Sequence, residues 1–238
     1  MIIGFSTGFL YKTKNYDRVS IEAVKLIQSI GCNAIEFMTI NRENLQKIFD
    51  NISRDKLKKF EFVSLHLPKG IFQEDKREET IEVLELVQKI HEKLKLNNVV
   101  IHPDEVSDWS VFSKFSFPFA IENMDNRKKT HKSINDMRKT FQITSAKMVL
   151  DVNHCFANDA TMKLAQDFIK EFGDRMNEVH LSGFVDFHEP LFQTKQEEIL
   201  NSVPGIELPI IIESGCENIE DAKKEIDYIK ENLNRKFI

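Results

Sequence analysis

The 238-residue chain is predicted to fold as a single (β/α)8 TIM barrel, one domain over residues 1–238. Three observations carry that expectation. Eight short apolar runs alternate with stripes of helical period, the pattern of a parallel sheet with right-handed crossovers. The composition, 41% hydrophobic and 30% charged, suits one globular α/β unit with a buried core. Metal-binding types of side chain stand at the C-terminal ends of six of the runs, and a parallel barrel brings all those ends to one face.

The strands are expected in order at residues 2–6, 34–38, 62–66, 98–102, 119–122, 148–151, 178–181 and 210–213. Each is a short apolar run, as strands buried on both faces require. Between them, Val19, Ala23, Leu26, Ile27 and Ile30 form a helical stripe that stops at Gly31, a C-terminal cap. Ile81, Leu84, Val87, Gln88, His91 and Leu94 form the longest stripe, and a shorter helix covers 134–141. Met162, Ala165, Phe168, Ile169 and Phe172 lead to Gly173, while Ile219, Ala222, Ile226 and Ile229 run behind Asn218 as N-cap. The stretch 103–118 carries Trp109, Phe112, Phe115 and Phe117 without periodicity, so the helix between strands four and five is short or missing.

A net charge of −5 leaves no domain-wide basic footprint of the kind nucleic-acid binders carry. No window approaches the ~18 apolar residues of a membrane span, and no leader precedes the first strand, so a cytoplasmic enzyme with no membrane partner is expected. Cys32, Cys155 and Cys216 are widely spaced and form no CxxC, which argues against a thiolate zinc knuckle or a disulfide framework. No protein partner is inferred.

The strand-end residues are His66, His102, Glu122, Asp151, His154, His180, Asp186, His188 and Glu213. Imidazole nitrogen with carboxylate oxygen suits zinc or manganese. Nine candidates exceed what one tetrahedral ion takes, so the arithmetic favours two or three ions, with Glu122 on the central fifth strand as bridge. Five of the seven histidines fall on this one face. The same face carries basic loops, of which Lys12, Lys69, Arg127 and Lys128 are candidates for holding a phosphorylated substrate.

In Leu65-His66, His102-Pro103, Ile121-Glu122-Asn123, Asp151-Val152-Asn153-His154, Val179-His180-Leu181, Asp186-Phe187-His188 and Glu213, the chain resembles the xylose isomerase-like barrels. Among them it is most similar to the endonuclease IV type, AP endonuclease family 2. That resemblance implies one ion on His66, His102 and Glu122, a second on Glu122, Asp151, His180 and Glu213, and a third on His154, Asp186 and His188. It implies a metal-dependent phosphoester hydrolase that uses metal-bound hydroxide, with zinc first and manganese or magnesium as alternatives. The substrate would be abasic DNA or a small phosphorylated or sugar compound. Glu122, Asp151, His180 and Glu213 also match the sugar isomerase and epimerase branch. There one ion suffices, and Glu122 and Glu213 are the catalytic residues that exchange protons with substrate carbon.

Overall fold

The computed structural model of the protein describes all residues except 15, 206 and 238. Eight parallel strands close into a barrel in sequence order, β1 (Ile3–Ser6), β2 (Ala34–Met38), β3 (Phe62–His66), β4 (Asn98–Ile101), β5 (Ala120–Glu122), β6 (Lys147–Asp151), β7 (Met176–Leu181) and β8 (Ile210–Ile212), with β8 pairing back onto β1. The helices are α1 (Ile21–Ser29), α2 (Arg42–Asn51), α3 (Arg54–Leu57), α4 (Arg77–Leu94), α5 (Ile134–Ile143), α6 (Val152–Asn158), α7 (Lys163–Phe172), α8 (Leu191–Thr194), α9 (Glu197–Asn201) and α10 (Ile219–Phe237).

Local chemistry sets the helix ends. Ser20 accepts the Ala23 N–H to open α1, and Gly31 follows its last residues at φ 79°, a conformation that glycine adopts without strain. Asn218 accepts the Asp221 N–H and opens α10 in the same way. Gly173 departs from expectation. Its backbone stays right-handed at φ −52°, and the chain runs on from α7 into a 3-10 turn over Gly173–Arg175. Helix α2 was not expected because its buried stripe is only Leu45 and Ile48, although Asn41 caps it by accepting the Asn44 N–H. Between β4 and β5 the crossover is reduced to 3-10 turns at Pro103–Glu105 and Trp109–Lys114. Stacked rings fill the space there, with Phe112 and Phe119 centroids 5.0 Å apart.

Strand alternation divides the core into two parts. Ile35, Phe37, Leu65, Val99, Ile101, Ile121, Leu150, Val179 and Ile212 pack outward with the helices in one large cluster. Their neighbours face into the barrel. At its floor lie Ala34, Phe62 and Ile211, with Val100, Ala120 and Val149 as a second apolar group. Glu36, Ser64, Asn98 and Glu178 form a buried polar layer at about the same level as that group. Above that layer stand the candidate ligands. Gly4 allows β1 to approach β2, because a β-carbon there would overlap the Ala34 carbonyl.

Candidate metal centre

His66, Glu122, Asp151 and His180 all lie at or next to the last residue of a strand, and Glu213 follows β8 directly. All but Glu213 are essentially sealed from solvent. Because neighbouring strands are in register, with Asp151 opposite His180 and Met38 opposite His66, these side chains converge on the mouth of the barrel. His102 sits one residue past β4. Asp151 also caps α6, accepting the His154 N–H at 2.8 Å, so one carboxylate orients the next candidate ligand.

Glu122 is at the centre. Its Oε2 lies 3.4 Å from Nε2 of both His66 and His102 and 3.7 Å from His180 Nδ1, while its Oε1 is 2.9 Å from His154 Nδ1. Glu213 Oε1 approaches the same His180 Nδ1 at 3.6 Å. Three buried atoms at this point have no hydrogen-bond partner among the described residues: Glu122 Oε2, Asp151 Oδ2 and His180 Nδ1. Glu122, Asp151 and His180 can each offer one ligand atom within 4.8 Å of the others. His66, His102 and Glu122 form a second such group, and Glu36, His180 and Glu213 a third. Orphaned donors of the right chemistry, buried together, fit a divalent cation.

The electrostatics agree with that fit. Burial works against charge on Glu122, but His102 and His154 outweigh it and hold the carboxyl well below the ordinary range. Burial pushes Asp151 up to about 8, against the pull of His154, and burial also raises Glu213. His154 rises to about 10 despite its burial, because Asp151 and Glu122 face it. Desolvation drives His102 down to about 4 and His188 down to about 3. Five carboxylates, Glu36, Glu122, Asp151, Glu178 and Glu213, share this interior with few fixed cations. A bound metal ion would supply the missing positive charge.

Two of the nine candidates stand apart. His188 lines the cavity, but its Nδ1 pairs with Ser182 Oγ at 2.8 Å and lies 4.0 Å from Glu213. Asp186 is exposed and lies outside the cavity lining. Glu189 turns its loop outward by accepting the backbone N–H groups of Val185, Asp186 and Phe187. His154, Asp186 and His188 therefore do not converge as a third ion's set among the described residues.

The cavity above the ligands measures about 460 Å³. Of the four basic candidates, Lys69, Arg127 and Lys128 line it and Lys12 does not; Lys12 instead stands 5.6 Å over the Tyr11 ring. Arg127 is committed to Asp125 at 2.6 Å and Lys128 to Asp104 at 2.8 Å. Lys69 and Arg18 line the cavity without an ion pair among the described residues. Arg18 belongs to the basic loops expected on this face, whereas Asp125, Glu36 and Glu178 were not expected in the site. Glu36 and Glu178 did have a sequence signal, since each is a carboxylate inside an apolar strand run, Ala34-Ile35-Glu36-Phe37 and Glu178-Val179.

No protein-family model matches the chain, and no curated protein matches it. Solved structures do. A D-tagatose 3-epimerase-like protein superposes with TM-score 0.68 at 17% identity, covering 100% of both chains. The 3-keto-D-glucoside 4-epimerase of E. coli in its apo form gives 0.64 at 13% identity, covering 97% of this chain and 99% of that one. D-allulose 3-epimerase from Methylomonas sp. in complex with D-allulose gives 0.64 at 14%, covering 98% and 97%. These matches overturn the expectation of a phosphoester hydrolase close to endonuclease IV. Of the residues that favoured that branch, His66 and His102 do converge on Glu122, but Asp186 is exposed outside the cavity and His188 pairs with Ser182, so the set of three ions is not assembled among the described residues. Zinc and abasic DNA, expected on the same resemblance, find no support in these matches. Among the described residues no helix is long and apolar enough to cross a membrane. The fold these structures share with the chain is the closed eight-stranded parallel (β/α)8 barrel.

Proposed function

We propose that the protein is a divalent-metal-dependent sugar or sugar-phosphate isomerase or epimerase. The observation that carries this reading is the convergence of orphaned atoms from Glu122, Asp151 and His180, with Glu213 beside them, at the mouth of a sugar-sized cavity. A divalent ion held by these four would polarise the carbonyl and hydroxyl oxygens of a bound ketose and so acidify the carbon between them. Glu122 and Glu213 both approach His180 Nδ1, so they stand at one locus and act as the carboxylates that remove a proton from substrate carbon and return it. The neighbour solved with D-allulose supports a ketose as the substrate.

Lys69 and Arg18 at the cavity rim favour a phosphorylated sugar, because each is a cation without an ion-pair partner among the described residues. Lys69→Ala should raise KM for a ketose phosphate and leave KM for the free ketose in place.

Conversion of a panel of ketopentoses, ketohexoses and their phosphates by metal-loaded protein, followed by sugar chromatography, tests the reading. Glu122→Gln and Glu213→Gln should each lower kcat at least about 10²-fold. Wild-type turnover retained in either variant would overturn the assignment.

A further inference from the structure

Glu36 is the most anomalous side chain in the barrel. It sits mid-strand on β2, fully buried, and neither carboxylate oxygen has a hydrogen-bond partner among the described residues. A buried carboxylate left unpaired is costly enough that its retention needs a compensating interaction. Its close neighbour is His180, whose Nε2 lies 3.3 Å from Glu36 Oε2.

The two faces of the His180 ring have different surroundings. Nδ1 looks up to Glu213 at 3.6 Å and Glu122 at 3.7 Å, the metal-ligand set. Nε2 looks down to Glu36 and, at 3.6 Å, to Glu178. Glu178 is already occupied, since Ser64 Oγ donates to one of its oxygens at 2.8 Å and Asn98 Nδ2 to the other at 2.6 Å. Glu36 has no such partners. One ion cannot bind both ring nitrogens, because their lone pairs diverge in the ring plane, so a metal on Nδ1 leaves Nε2 with a hydrogen to place.

Resting on the metal-site reading above, we propose that Glu36 is a positioning residue that accepts the Nε2–H of His180 and thereby fixes the tautomer that presents Nδ1 to the metal. Carboxylates behind a ligating imidazole orient the ring and raise its basicity. The buried polar layer below the site then has a function: it holds the underside of a ligand while contributing little to the fold of the metal-free protein.

Mn2+ titration of metal-free wild type, Glu36→Gln and Glu36→Leu by calorimetry, with thermal melts of each metal-free protein, tests the assignment. Glu36→Leu should lose about 10–100-fold in Mn2+ affinity. Glu36→Gln, which keeps an acceptor oxygen, should lose less. Both metal-free variants should melt at or above the wild-type temperature, and the visible spectrum of bound Co2+ should change in both. Unchanged affinity in Glu36→Leu, alongside normal binding by the wild type, would overturn the role of Glu36 alone. So would a lower metal-free melting temperature with unchanged affinity, the mark of a purely structural residue, or the loss of one bound ion from a stoichiometry of two, the mark of a direct ligand. A wild type that binds neither Mn2+ nor Co2+ overturns the metal-site reading, and this proposal with it.

Discussion

At the residue scale, Asp125 shows how the rim of the site is held. Its carboxylate accepts the Arg127 backbone N–H at 2.8 Å and the guanidinium at 3.1 and 2.6 Å, and it lies 3.7 Å from His154 Nε2. Burial opposes its charge, but Arg127 prevails and the carboxyl falls to about 2. A carboxyl whose folded pKa is depressed contributes its full stability above its unfolded pKa of ~3.9 and loses it as pH falls through the folded value. The stability gap between metal-free wild type and Asp125→Asn should therefore be constant from pH 7 to about 5 and close between about pH 4 and 2. Urea melts across that range check it, and a gap of equal size at pH 2.5 would contradict it. Residues of this kind were hard to read in the sequence. His66, His102, Glu122, Asp151, His180 and Glu213 were visible because each ends an apolar run, and the barrel makes strand ends meet. Glu36 and Glu178 escaped because they lie inside their runs, where a charge in a short strand is easily taken for a solvated face. Asp186 misled because spacing along a loop does not encode the loop's direction, and Glu189 turns that loop outward.

At the element scale, closure depends on β1. Gly4 faces the Ala34 carbonyl of β2 with no room for a side chain, so Gly4→Ala should push the two strands apart. Overpacking of this kind typically costs about 1–3 kcal/mol, and here the obstacle is backbone that cannot rotate away. A urea midpoint equal to wild type would show that the β1–β2 seam yields more readily than this. Elements with a broad apolar stripe were legible: α1, α4, α7 and α10 were expected where they occur, and Ser20 and Asn218 cap α1 and α10 as short polar residues do. Helix α2 was not, since Leu45 and Ile48 alone make too narrow a stripe to distinguish from a loop. The short crossover between β4 and β5 was legible from its lack of helical period; that its aromatics fill the space as stacked rings is seen only in the structure.

At the scale of the whole molecule, the barrel brings candidate ligands together from the ends of six strands at the cost of burying several carboxylates together. Metal should therefore stabilise the fold as well as serve the chemistry. An ion that binds only the folded state at 100 times its Kd adds about 2.7 kcal/mol, so saturating Mn2+ should raise Tm and EDTA should reverse the gain. Asp151→Asn should remove most of that increment. The closed parallel barrel was legible in full because strand-helix alternation leaves few other topologies. The reaction was not, since Glu122, Asp151, His180 and Glu213 match both branches of the resemblance, and of the residues that favoured the hydrolase, Asp186 and His188 lie on a loop whose direction their spacing does not encode. Proton exchange at a sugar carbon leaves a direct trace when Mn2+-loaded protein is incubated with ketoses and ketose phosphates in D2O and the sugars are followed by NMR. Metal-dependent deuterium incorporation is expected at the carbon beside the carbonyl of one sugar class, abolished by Glu213→Gln. Protein that binds Mn2+ yet leaves every sugar unlabelled while cleaving a phosphodiester would contradict it.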